Sequence, residues 1–150
     1  MPQQFSDCDD LWEDLRNFVS TGDFTLGKPL KEFEKNFSQL IDTKFAIGVN
    51  SGTDAIKLVL KALCVGPGDE VITVGNSDIS TTAAISIIGA TIVLVDILES
   101  DYTIDCSQVA SVVTDRTKAI LPVDLYGHPA DCIALRQVAD EHGLKIIEDA

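Results

Sequence analysis

Basic residues are scarce in this sequence. Lysine and arginine total 11 against 24 aspartates and glutamates, a formal net charge of -13. Nucleic acids and anionic membrane surfaces both need basic patches, so neither is expected as a partner. The four cysteines, Cys8, Cys64, Cys106 and Cys132, include no CxxC pair. The two histidines, His128 and His142, are not at metal-ligand spacing, so no metal site is expected. Met1 is followed by polar residues without a signal-peptide pattern, which points to reduced thiols and a cytoplasmic protein. No apolar run approaches the roughly 20 residues of a membrane span. Repeats and low-complexity segments are missing as well.

What is present is ordinary globular material. Hydrophobic residues make up 45% of 150, enough for one domain with a core. Residues 7–19 read as a helix, with Leu11, Leu15, Phe18 and Val19 on one face and Trp12 beside them. A glycine-containing loop leads to a second helix over 29–41, with Pro29 in the first turn and a stripe of Leu30, Phe33, Phe37, Leu40 and Ile41. These two helices form an N-terminal arm, 1–43.

From residue 44 onward the pattern alternates. Strands are predicted at 44–49, 70–74, 92–96, 118–123 and 144–148. Helices are predicted at 53–64, 79–88, 105–113 with Asp105 as cap, and 131–142 ended by Gly143. Short apolar strands alternating with helices imply an α/β fold, a three-layer αβα arrangement around a mostly parallel sheet. Right-handed crossovers put the strand-end loops on one side, where open α/β sheets bind ligands. The loops there are 50–53, 75–80, 124–127 and Asp149. The sequence stops at Ala150, at the lip of the sheet, and this end reads as a truncation.

Two of these loops carry chemistry. Asn50-Ser51-Gly52-Thr53-Asp54-Ala55 lies at a strand-to-helix junction. Free backbone N–H groups and the helix dipole would suit a phosphate there, with Gly52 allowing close approach and Thr53 adding a hydroxyl. The same residues also suit a plain helix cap with no ligand. They are neither a Walker loop nor a GxGxxG fingerprint, so ordinary nucleotide binding is not favoured. Glu148-Asp149-Ala150 ends an apolar strand. A carboxylate at that edge can accept from a protonated ring nitrogen, or can simply be solvated.

An ordered series of segments now resembles one family. It comprises Gly22-Asp23-Phe24-Thr25-Leu26-Gly27, Phe33-Glu34, and Val49-Asn50-Ser51-Gly52-Thr53-Asp54-Ala55. Gly66-Pro67-Gly68-Asp69-Glu70-Val71-Ile72, Gly89-Ala90 and Thr114 to Ile120 with Pro122-Val123 follow, then Leu125-Tyr126-Gly127, Pro129-Ala130-Asp131 and Glu148-Asp149-Ala150. The chain is similar in these to the DegT/DnrJ/EryC1/StrS aminotransferases. The resemblance implies part of a fold-type-I PLP transferase large domain over 44–150. It implies pyridoxal 5'-phosphate (PLP) as cofactor and amino transfer, with glutamate as donor, to a keto group of a nucleotide-linked sugar. It also implies a homodimer. Gly52 and Thr53 would bind the phosphate, and Asp149 would pair with the pyridine nitrogen. Phe24 and Thr25 are either sugar-lining residues or plain loop.

Two positions depart from the family pattern. Asp78 stands where an aromatic ring usually stacks on the cofactor, so it is a cofactor-contacting position with charge in place of a ring. Asp124 stands where a histidine is usual. The Schiff-base lysine is expected beyond Ala150, and none of Lys28, Lys31, Lys35, Lys44, Lys57, Lys61, Lys118 or Lys145 matches it. The resemblance further implies a sheet whose first strand, 44–49, is separated from the fourth, 118–123, by two late strands. Two other readings remain for the sequence as it stands: a phosphate-binding module without catalysis, and a non-functional truncated product.

Overall fold

The structure, a computed structural model, describes residues 9–150. Asp7 and Cys8, where the first helix was expected to begin, lie outside the described residues. The chain divides into two compact units, the first ending at Gly48 and the second running from Val49 to Ala150.

The first unit holds α1 (Asp9–Thr21) and α2 (Lys28–Leu40). Pro29 sits in the first turn of α2, as its fixed φ and missing N–H favour. Phe18 meets Phe24 edge-on at 5.6 Å, and Phe33 stacks on Phe37 at 5.6 Å. The expected apolar faces exist but are not covered. Leu11, Trp12, Leu15 and Val19 of α1 and Phe33, Phe37 and Leu40 of α2 are all exposed. The strand expected over 44–49 does not form. A strand needs a ladder partner for its N–H and C=O groups, and this segment has none among the described residues. The Gly48 N–H instead donates to Glu34 Oε1 at 2.8 Å.

The second unit is a sheet with helices on both faces. Its elements are α3 (Gly52–Ala62), β1 (Glu70–Val74), α4 (Ile79–Ile87), β2 (Thr91–Val95), α5 (Cys106–Val109), β3 (Thr117–Ile120), α6 (Cys132–His142) and β4 (Lys145–Ile146). The strands are all parallel, in the order β2-β1-β3-β4. Side chains on a strand alternate between faces, and the core splits accordingly. Val71, Ala119, Leu121 and Ile147 point into one cluster with Ile56 and Leu60 of α3 and Ala84 and Ile85 of α4. Ile72, Val74, Ile120 and Val123 point into the other, with Val109 of α5 and Leu135 and Ala139 of α6. Three layers follow from that alternation.

Local signals set the element ends. Asp105 caps α5 by accepting from the Ser107 N–H at 3.0 Å. Asp131 caps α6 by accepting from Ile133 and Ala134 at 3.1 and 3.0 Å. Gly143 ends α6 with φ 68, a left-handed conformation that glycine adopts without strain. α5 is shorter than the predicted helix, because Ala110–Val112 tightens into a 3-10 turn.

Among the described residues, no ladder joins 44–49 to the strand expected over 118–123, in keeping with the separation expected between them. β3, the fourth strand of the sequence reading, has β1 on one side and β4 on the other. β3 ends three residues early. Leu121 still donates to Ile72 O at 2.8 Å, but Pro122 has no N–H to continue the ladder. Pairing resumes beyond it, where Asp149 donates to Pro122 O at 3.1 Å and Asp124 donates to Asp149 O at 2.9 Å.

Candidate functional site

Parallel strands share one C-terminal edge, and Asp149 lies on it, three residues past the end of β4. Its backbone is held on both sides by the two bonds to the β3 extension. Its side chain is held from across the edge. The Thr81 hydroxyl, in the first turn of α4, donates to Asp149 Oδ2 at 2.6 Å. Thr81 Oγ1 in turn lies 2.7 Å from Ser77 Oγ. Thr81 is only 1% exposed, whereas Asp149 is half-buried. No protein donor among the described residues engages Asp149 Oδ1.

Asp78 lies between Ser77 and α4, on the same edge. It is exposed and is the N-cap of α4, accepting from the Ser80 N–H at 2.8 Å. Hydrogen bonds from the Ser80 hydroxyl and N–H hold its carboxyl below the ordinary aspartate range. The sequence singled out Asp78 only for its lack of a stacking ring. Its geometry adds a structural task, satisfying an otherwise orphaned helix donor.

Gly52 and Thr53 are the first two residues of α3. Ser51 Oγ accepts from Asp54 at 3.2 Å, and Ser51 O accepts from Ala55 at 3.0 Å. The N–H groups of Ser51, Gly52 and Thr53 have no acceptor among the described residues. A Cβ built on Gly52 would meet nothing within 4 Å, so the approach to these donors is open. Asp54 in the same turn is paired with Lys57, whose hydrogen bond lowers its pKa and whose charge balances it. Ser51 is therefore the cap of α3, and the Gly52 and Thr53 N–H groups are not used by it. α3 packs on α4 through Ile56, Leu60, Ala84 and Ile85, but no hydrogen bond joins Gly52 or Thr53 to Asp78 or Asp149.

Asp124 also has a structural task. Its Oδ1 accepts from Ala130 at 3.0 Å, and its C=O accepts from Gly127 at 3.1 Å, closing the loop 124–130. The closure leaves Tyr126 at φ 58, a left-handed conformation unusual for a non-glycine residue. Tyr126 meets Tyr102 edge-on at 6.2 Å. A cleft of about 600 Å³ opens nearby at the ends of β1 and β2, lined in part by Asn76, Asp96 and Tyr102. It does not include Thr81, Asp78 or Asp149.

Sequence reasoning missed Ser77 and Thr81. A faint signal was available: Ser77, just before the Asp78 cap, and Thr81, in the first turn of α4, are hydroxyls four positions apart at a predicted helix start. No helix among the described residues is long and apolar enough to cross a membrane.

Comparison with known proteins matches this arrangement to a family. The chain is 45% identical to the dTDP-3-amino-3,4,6-trideoxy-alpha-D-glucose transaminase of Streptomyces venezuelae, over 97% of this chain and 41% of that protein. It is 40% identical to the 3-oxo-glucose-6-phosphate:glutamate aminotransferase of Bacillus subtilis, over 96% of this chain and 33% of that one. Among solved structures it resembles NtdA from Bacillus subtilis with bound cofactor PMP, at TM-score 0.92 and 41% identity, over 95% of this chain and 33% of that chain. The chain thus spans about two fifths or less of the length of these relatives. Residues 7–150 match the sequence pattern of one family throughout, and the chain belongs to the DegT/DnrJ/EryC1/StrS aminotransferase family.

Proposed function

We propose that this chain is the N-terminal portion of a PLP-dependent aminotransferase acting on a keto group of a nucleotide-linked sugar, with glutamate as amino donor. The observation that carries the reading is a pairing of donors and an acceptor: acceptor-free N–H groups at Gly52 and Thr53, and a carboxylate at Asp149 with one oxygen tied and one open. The relatives support it. One is named for a dTDP-sugar, one for glutamate, and a solved structure carries PMP.

The residues present fit that cofactor. When bound, PLP supplies an electron sink for bond changes at the amino-bearing carbon. The Gly52 and Thr53 N–H groups would take its phosphate, aided by the Thr53 hydroxyl and the dipole of α3. Asp149 Oδ1 would accept from the ring nitrogen and hold the proton there. Asp78, fixed as a helix cap, would act on the ring by charge instead of stacking. In this reading the Schiff-base lysine lies beyond Ala150, residues 1–43 are an N-terminal arm, and 44–150 begin the PLP-binding large domain. The complete protein is a cytoplasmic homodimer in this reading, and the acidity of the present chain disfavours nucleic acid and membrane partners.

A single substitution tests the phosphate site. Gly52 is the first residue of α3, a position that accommodates proline, and Ser51 before it is extended at φ -160, ψ 161, as a residue preceding proline must be. Gly52→Pro therefore removes one N–H and leaves the helix in place. Titration with PLP, followed by absorbance, should give binding about tenfold weaker than wild type, the worth of one hydrogen bond to an anion. Equal affinity would refute the assignment.

A further inference from the structure

We infer that Ser77 and Thr81 form a one-way hydrogen-bond relay that positions the Asp149 carboxylate, making Thr81 a positioning residue for the ring-nitrogen partner. The inference rests on the cofactor reading above only for what Asp149 then does. The relay itself stands on geometry.

An ionised carboxylate has no proton to give, so the 2.6 Å contact must use the Thr81 proton. A hydroxyl has one proton, and Thr81 has then spent it. The 2.7 Å contact with Ser77 can only run from the Ser77 O–H to Thr81 Oγ1. Both protons thus point toward Asp149. Donors in series polarise one another, and burial strengthens each step, because Thr81 is 1% exposed.

The two anchors of the relay differ in kind. Thr81 is in the first turn of α4, a nine-residue helix, so the helix's positive end faces the same carboxylate. Asp149 is tied through its own N–H and C=O to Pro122 and Asp124. Only its χ1 and χ2 remain to be set, and the bond from Thr81 sets them by fixing Oδ2. Oδ1 is left with a defined direction and no protein donor among the described residues. An unheld aspartate could rotate and offer either oxygen. A held one offers the same oxygen in the same place to a protonated nitrogen.

The test uses this chain with Thr81→Val, Thr81→Ser and Ser77→Ala. Valine keeps the shape of threonine without the hydroxyl, and serine keeps the hydroxyl. Crystal structures without cofactor should find Asp149 rotated or in several rotamers in Thr81→Val, and as in wild type in Thr81→Ser. PLP titration should read about tenfold weaker binding for Thr81→Val and about twofold or less for Thr81→Ser, with Ser77→Ala between them. If Thr81→Val does not fold, Ser77→Ala, on a half-exposed loop residue, carries the comparison. An unchanged Asp149 rotamer in Thr81→Val overturns the relay; if Ser77→Ala must stand in, PLP affinity equal to wild type overturns it. A rotamer that follows the hydroxyl in a chain that does not bind PLP sustains the relay and sinks the cofactor reading instead.

Discussion

The Thr114 hydroxyl donates to Glu70 Oε2 at 2.6 Å, across 44 positions of sequence, and so ties the start of β1 to the turn before β3. Glu70 is 3% exposed, and Thr117 and Arg116 complete its shell. The Thr114 hydrogen bond, then Arg116 and Thr117, hold its carboxyl below the ordinary glutamate range against the opposing effect of burial. A depressed folded pKa stabilises above the unfolded pKa, and that stabilisation is lost as pH falls through the folded value. Thermal midpoints should therefore decline below the usual carboxylate range. Glu70→Gln should melt earlier at neutral pH and show a shallower acid decline. A parallel decline in both proteins would contradict this role.

Leu60 is fully buried between α3 and the sheet, in the cluster with Val71 and Ile85. Leu60→Ala should destabilise the second unit by about 2–5 kcal/mol, through lost burial and the cavity left behind. Urea denaturation gives the number directly. A change under about 1 kcal/mol would mean that the site collapses freely.

The thiols should react in a set order. Burial, then the Glu148 carboxylate, push Cys132 up to about 11, and burial raises Cys106 as well. Cys64 is exposed. Only the thiolate attacks an alkylating reagent, and at pH 8 about one Cys132 in a thousand would be ionised. Peptide mapping after iodoacetamide should find Cys64 modified well before Cys132. Equal rates at the two sites would argue against the burial of Cys132.

The 150-residue chain alone should not transfer amino groups. Its lysines lie on α2 and α3, in the irregular segment at Lys44 and in β3 and β4, and the proposed Schiff-base lysine is none of them. Proton movement at the substrate carbon needs a placed amine, which Asp149 cannot replace. The measurement is turnover from glutamate with added PLP, together with mass spectrometry after borohydride. Turnover with one stoichiometric lysine adduct would reveal a lysine with that task in this chain.

Legibility followed the range of the physics. Asp105, Gly143 and Pro29 were readable because a cap or a first turn depends on neighbours three or four residues away, whereas Asp131, read as the first helical residue, is the cap just before α6. β1 was readable because five consecutive buried residues leave little else. Residues 44–49 have the composition of a strand, yet strand formation depends on a partner that composition does not report. The tie between Thr81 and Asp149 spans 68 positions, and no local pattern encodes it. Asp78 and Asp124 were visible as unusual residues, but their capping and loop-closing bonds belong to the folded backbone.

The anchoring of Asp149 by its own N–H and C=O has an electrical consequence. A charge on a loose side chain relaxes whenever a nearby charge changes, and that relaxation raises the barrier to the change. The Asp149 charge is fastened to the sheet by its main chain and to α4 by its side chain. It would keep nearly the same field before and after a proton or electron pair moves beside it. Reorganisation there is small because it was completed during folding.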